Sequence, residues 1–164
     1  MLVNIEGEDI NAVAKDVDAL SARLGRRLAF LVGKPGLDGH SNGAEQIATR
    51  ARAVGMEVTY DGIRMTPEEI VTSAIDKKAH AVGLSILSGS HLDLVRDVVA
   101  RMRAADLGHI PIVVGGIIPP EDARSLKQFG VAAVYTPKDF KITEIMGDIV
   151  KIVADRTAQN VRNG

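Results

Sequence analysis

The 164-residue chain contains no cysteine and no tryptophan. The first absence excludes disulfides, thiolate metal sites and cysteine nucleophiles, and it leans towards the cytosol. Aromatic residues make up only 3% of the chain, too few for a platform on which single-stranded nucleic acid would stack. Neither sign of charge is in excess: 20 Lys and Arg stand against 21 Asp and Glu. A basic surface for nucleic acid or for an anionic membrane is therefore not expected. No apolar run approaches the ~18 residues of a membrane span, and the start Met1-Leu2-Val3-Asn4 has no signal-peptide pattern. The expectation is a cytoplasmic protein with no nucleic-acid and no membrane partner.

What is present is an alternation. Short apolar runs at Leu28–Val32, Glu57–Tyr60, Ala81–Leu84, Ile110–Val114 and Ala132–Tyr135 are separated by longer amphipathic stretches. Most of the runs are rich in Val, Ile and Leu without clean alternation, the pattern of strands buried on both faces. Helical patterns lie near Ala44–Val54, Pro67–Lys78, Leu92–Ala105 and Glu121–Phe129, with a last one from about Ile142 to Val153. Gly55 and Gly130 follow two of them, as helix stops, and Thr66-Pro67 opens another with a cap and a first-turn proline. Repeated βα units predict an α/β fold, a flavodoxin-like (Rossmann-like) five-stranded parallel sheet of order 2-1-3-4-5 with helices on both faces. Residues 25–155 would form the domain. Residues 1–24 read as an N-terminal helix or linker, and 156–164 as a polar, flexible tail.

Ligands of such sheets bind beyond the carboxyl ends of the strands, where the strand order reverses. Here that is the crevice between strands 1 and 3. Glycines and hydroxyls gather at that rim: Gly33 to Gly43 after strand 1, Ser85 to Ser90 after strand 3, Gly115-Gly116 after strand 4 and Thr136 after strand 5. Eleven residues between the first strand and its helix exceed the ~2–6 usual for such a turn, which marks the loop as functional. The loop carries one strong ligand, His40. Asp38 is close enough in the chain to accept a hydrogen bond from one ring nitrogen, leaving the other to donate its lone pair to a metal. One imidazole cannot hold zinc, which needs three or four protein ligands. It suffices where a macrocycle supplies the other ligands, which leaves haem or a corrinoid.

Asp38-Gly39-His40-Ser41-Asn42-Gly43, then Ser85-Ile86-Leu87, then Gly115-Gly116 together resemble the Asp-x-His-x-x-Gly, Ser-x-Leu and Gly-Gly signature of cobalamin-binding domains in mutases and corrinoid proteins. The resemblance covers roughly residues 25–155. The wording around His40, the run Gly115 to Pro120 and the run Tyr135 to Phe140 resemble the acyl-CoA mutase branch, in particular the carboxyl-terminal domains of methylmalonyl-CoA and, more closely, ethylmalonyl-CoA mutases. The resemblance implies adenosylcobalamin as cofactor, with His40 as lower axial cobalt ligand in place of the cofactor's own dimethylbenzimidazole and Asp38 orienting it. Gly43 would let the helix N-terminus approach the nucleotide tail, with the helix starting near Asn42 offering free N–H groups. Ser85 would hydrogen-bond the benzimidazole, Leu87 would pack nearby, and Gly115 and Gly116 would leave room for the tail. Tyr135 and Thr136 would line its far end. No catalytic residue is expected in this chain. An isomerase would need a substrate-binding barrel, as a further domain or a large subunit, to hold the acyl-CoA.

Each feature also has a plainer reading. A loop histidine is commonly solvated, Ser85 could cap the turn after its strand, and Gly115-Gly116 could be only a tight turn. His80, His91 and His109 fall at segment boundaries without metal spacing and read as structural or solvated. Lys34 and Lys138 read as solvated charges or as facing a phosphate or partner. Two further functions compete with a mutase subunit. A stand-alone cobalamin carrier or sensor would use the same site without catalysis. A response-regulator receiver shares the fold, but it needs an acceptor Asp at the end of strand 3, where this chain has Ser85.

Overall fold

A computed structural model describes residues 2–35, 42–60, 65–86, 92–136 and 141–163, with the side chains of 2–9, 42 and 160–163 left aside. Its strands are β1 (Ala29–Gly33), β2 (Glu57–Tyr60), β3 (Ala81–Ile86), β4 (Ile112–Gly116) and β5 (Ala133–Tyr135). Its helices are α1 (Leu2–Leu24), α2 (Asn42–Ala53), α3 (Pro67–Asp76), α4 (Leu92–Ala104), α5 (Pro120–Phe129) and α6 (Ile142–Asn163). All strand pairings are parallel and the order is β2-β1-β3-β4-β5, the expected one.

Strand periodicity divides the core in two. Phe30 and Val32 of β1, Ala81 of β3, Val113 of β4 and Tyr135 of β5 pack with α1, α2 and α6. Leu31 of β1, Val82, Leu84 and Ile86 of β3, and Ile112 and Val114 of β4 pack with α3, α4 and α5. Every residue of β1 is buried, which is why its run showed no alternation.

The local signals act as their chemistry dictates. Thr66 Oγ1 accepts from the Glu69 N–H at 3.1 Å and Glu69 Oε1 accepts from the Thr66 N–H at 3.0 Å, a capping box ahead of Pro67. Gly130 ends α5 at φ 124°, its N–H donating to the carbonyls of Leu126 and Lys127.

Three boundaries differ from the sequence expectation. Ser85 lies inside β3 rather than after it, and Gly115 and Gly116 are the last two residues of β4 rather than a turn. The parallel ladder holds them there, Ser85 opposite Gly115 and Ile86 opposite Gly116. The last helix does not stop near Val153: residues 156–163 continue α6. Its polar end was read as a tail because few apolar residues mark it. The Thr157 hydroxyl donates back to the Val153 carbonyl at 2.8 Å, inside the helix. The long α1 packs along α6, placing Val17 and Leu20 in the core.

His80 joins the segments around β1. Its Nδ1 accepts from the Ala29 N–H at 2.9 Å, while the Ser21 hydroxyl accepts from the Leu28 N–H at 2.9 Å. An accepting Nδ1 must be unprotonated. Burial, then the positive charge of Arg26, hold His80 below the usual histidine range, against a smaller opposing pull from Glu57. The unfolded chain therefore binds the proton more readily than the folded one. The stability contributed by neutral His80 is complete above the unfolded value of about 6.5 and is lost as pH falls through the lower folded value. His80→Ala leaves the Ala29 N–H without its acceptor and should cost about 1–3 kcal/mol at pH 7.5. Thermal midpoints between pH 7.5 and 5.5 should fall more for the parent chain than for the variant. Equal slopes would remove His80 as the titrating group.

Candidate functional site

The face of the sheet beneath α2 and α6 is poorly filled towards its carboxyl end. Alternation from Ala81 puts Gly83 and Ser85 of β3 on that face, and alternation from Val113 puts Gly115 of β4 beside them. Two glycines and a serine stand where a central strand normally carries large apolar side chains. The result is a cavity of about 720 Å³ between the sheet and the helices. Phe30, Val32 and Val113 line its sheet side, Gly43, Ile47 and Arg50 of α2 one wall, and Thr143, Glu144 and Ile149 of α6 the other. It opens towards the carboxyl ends of the strands and reaches from the β1–β3 crevice across β4 to β5. This is broader than the crevice expected from topology alone.

Of the candidate residues, Gly43, Ser85, Gly115, Gly116, Tyr135 and Thr136 come together around this cavity. Asp38, Gly39, His40, Ser41 and Leu87 lie outside the described residues, and of Asn42 only its place at the start of α2 is described. The root of the His40 loop is fixed. Pro35 bridges Met65, and the Lys34 carbonyl accepts from the Met65 N–H at 3.1 Å. Lys34 is 2% exposed, so its solvated reading fails. Lys138 and His91 lie outside the described residues, and His109 is exposed.

The two glycines of β4 do different work. A Cβ on Gly115 would find only the Tyr135 carbonyl within 4 Å, at 3.8 Å, so that position opens into the cavity. A Cβ on Gly116 would sit 1.8 Å from the Ile86 carbonyl oxygen, and its φ is 150°. Gly116 is therefore demanded by the backbone of the neighbouring strand. Gly43 brings α2 down onto the sheet: its Cβ position is 3.8 Å from Ser85 Oγ.

Tyr135 closes the β5 end. The ring is 4% exposed and the hydroxyl donates to Asp148 Oδ2 of α6 at 3.1 Å. Burial first, then the Asp148 charge and that hydrogen bond, push the phenol far above its ordinary range, so it stays protonated. Across the opposite wall Arg50 Nη1 donates to Thr143 Oγ1 at 2.8 Å, tying α2 to α6. Sequence reasoning missed Phe30, Gly83, Arg50 and Thr143. Gly83 alone carried a signal, as a glycine inside an apolar strand run, which often marks close approach of another group.

The arrangement is a deep slot with mostly apolar walls, a hydroxyl and several polar groups at its sides, suited to a flat aromatic group with a polar extension. Comparisons with known proteins bear on the family. The model of the B12 binding domain matches residues 28–140. Ethylmalonyl-CoA mutase of Cereibacter sphaeroides is 64% identical over 92% of this chain, and that of Methylorubrum extorquens 58% over 87%. Mouse mitochondrial methylmalonyl-CoA mutase is 34% identical over 92% of the chain. The chain spans only 23%, 21% and 21% of these relatives. Among solved structures, a cobalamin-binding protein from Desulfitobacterium hafniense DCB-2 superposes with a TM-score of 0.65 at 24% identity, covering 92% of this chain and 70% of that one. A NarL receiver domain from Mycobacterium tuberculosis reaches 0.57 at 17%, covering 77% of this chain and 96% of that one, a likeness of fold alone.

Adjacent substitutions should separate the two β4 glycines. Gly116→Ala should destabilise the chain by at least about 1–3 kcal/mol, from strain and a backbone clash. Gly115→Ala should stay within about 0.5 kcal/mol of the parent. Urea denaturation measures both, and equal losses would contradict the assignment.

Proposed function

The chain belongs to the B12-binding domain family, and from that premise we propose that it holds adenosylcobalamin through His40 and presents it to a substrate-binding barrel for rearrangement of an acyl-CoA. The observation that carries this reading is the slot left by Gly83, Ser85 and Gly115 beneath α2 and α6. Its volume, its apolar walls and the empty Cβ position at Gly115 fit the benzimidazole end of a displaced nucleotide tail. A tail buried there could not also ligate cobalt, so a protein group would have to supply that ligand. His40, on the loop rooted at Lys34 and Pro35, is the group of the right chemistry.

Within this reading each residue has a task. Asp38 orients the imidazole and raises its basicity, and Gly39 and Ser41 complete the loop. Asn42 and Gly43 start α2, whose free N–H groups face polar atoms of the tail. Ser85 hydrogen-bonds the base, Leu87 packs near it, and Gly115 leaves the slot clear, while Gly116 lets β4 lie against the Ile86 carbonyl of β3. Tyr135, held by Asp148, and Thr136 bound its far end. Adenosylcobalamin, when bound, would supply radical chemistry. The chain itself supplies position and a nitrogen ligand. The acyl-CoA is held by the partner barrel, a domain or large subunit beyond this stretch. Ethylmalonyl-CoA is the favoured substrate type, because likeness to ethylmalonyl-CoA mutases at 64% and 58% exceeds the 34% to a methylmalonyl-CoA mutase.

Cobalt EPR on the reduced, cobalamin-loaded chain tests the central point. The parent should show hyperfine coupling to a protein nitrogen, and His40→Ala should lose it. Unchanged coupling in the variant, or no corrinoid binding by the parent, would refute the reading. Mutase activity should appear only after the barrel-bearing partner is added. Activity of the chain alone would contradict the division of labour, and inactivity with an ethylmalonyl-CoA mutase barrel would leave a carrier.

A further inference from the structure

The deep end of the slot has a defined floor. Phe30 is 1% exposed and lies across Gly83 of the next strand: a Cβ on Gly83 would stand 2.6 Å from Phe30 Cζ and 3.0 Å from Cε1. The register explains the contact. Phe30 pairs with Ala81 and Val32 with Gly83, so Phe30 sits one step towards the amino end, and its ring reaches along the face to the bare glycine. Ser85 and Gly115 stand opposite one another nearer the carboxyl end, where the slot opens. Phe30 and Gly83 both line the cavity.

We propose that Phe30, seated on Gly83, sets the depth of the slot and so selects corrinoids by the size of their lower base. This rests on the reading that the nucleotide tail enters the slot. With Gly83 bare, the ring lies low and leaves room for a two-ring base such as benzimidazole. A methyl group at position 83 has no space beneath the ring. The ring must then shift into the cavity that it lines, shortening the slot. A smaller side chain at position 30 lengthens the slot and admits a larger base.

The experiment titrates the 164-residue chain with three adenosylated corrinoids, followed by visible absorption. These are adenosylcobalamin, adenosylcobinamide, which lacks the nucleotide tail, and a cobamide carrying the three-ring naphthimidazole. The parent should prefer adenosylcobalamin to both others. Gly83→Ala should weaken adenosylcobalamin by roughly tenfold or more, the scale of one methylene in an apolar pocket, and leave adenosylcobinamide unchanged. Phe30→Leu should raise naphthimidazole cobamide binding relative to adenosylcobalamin by a similar roughly tenfold factor. The double variant Gly83→Ala/Phe30→Leu removes the clash and should bind adenosylcobalamin again, which decides the matter if Gly83→Ala alone does not fold. A parent that binds adenosylcobalamin and adenosylcobinamide equally would refute the tail reading itself. A parent that discriminates, with variants that keep its ratios, would leave the tail in the slot and overturn Phe30 as its gauge.

Discussion

The structure turns on side chains that are missing. A helix settles on a sheet by burying the large residues of its strands, and close packing normally leaves few voids larger than a water molecule. Gly83, Ser85 and Gly115 withhold those residues from the carboxyl half of one face. The space of about 720 Å³ that results lacks the contacts that large side chains would make there. A domain that keeps such a space gains from what fills it. Bound ligand adds stability to the folded state by mass action, so cofactor and fold support each other.

The remaining interactions hold that space open. The opposite face is filled by Leu31, Val82, Leu84, Ile86 and Val114 against α3, α4 and α5. On the slotted face, the amino end is closed by Phe30 and by Val17 and Leu20 of α1, and Met146, Ile149 and Val153 secure α6. The Arg50–Thr143 hydrogen bond and the Tyr135–Asp148 hydrogen bond tie α6 to α2 and to β5 on either side of the slot. A slot is stable here because its two ends and its far side carry the packing that its middle gives up.

Much of this was legible in the sequence. Doubly buried strands read as continuous apolar runs, so the sheet and its order followed from periodicity and handedness alone. Gly115 and Ser85 were recognisable because they recur with an Asp-x-His-x-x-Gly loop. Their exact setting was not. The difference between a residue at the end of a strand and one in the turn after it is decided by ladder pairing, here Ser85 with Gly115, and pairing register is not written in one strand's residues. The Phe30–Gly83 contact was hidden for the same reason: it joins residues 53 positions apart through the β1–β3 register. The helical end of α6 was misread because its polar residues carry little periodicity, whereas docking of α1 on α6 is a tertiary effect. Gly116 looked like its neighbour Gly115, although one answers to the backbone of β3 and the other to the ligand space.

A site divided in this way has a chemical logic. Binding energy from parts of a ligand remote from the reacting atoms can hold those atoms in place without being spent on the reaction itself. In the proposed arrangement the tail would be such a remote part, held between the sheet and α6, with the reacting part of the cofactor left outside the slot. Affinity can then reside in this chain, and substrate choice in the partner, with little conflict between them. The slot walls also impose direction: Gly43, Ser85, Gly115, Gly116 and Thr136 line it at the carboxyl ends of the strands, the end at which Pro35 bridges Met65. A tail seated to the depth of Phe30 would also set how far the rest of the cofactor stands from the strand ends. Depth in the slot and the position of the ligand's outer end would thus be one quantity, and a residue at the floor would act on that outer end through the length of the ligand itself.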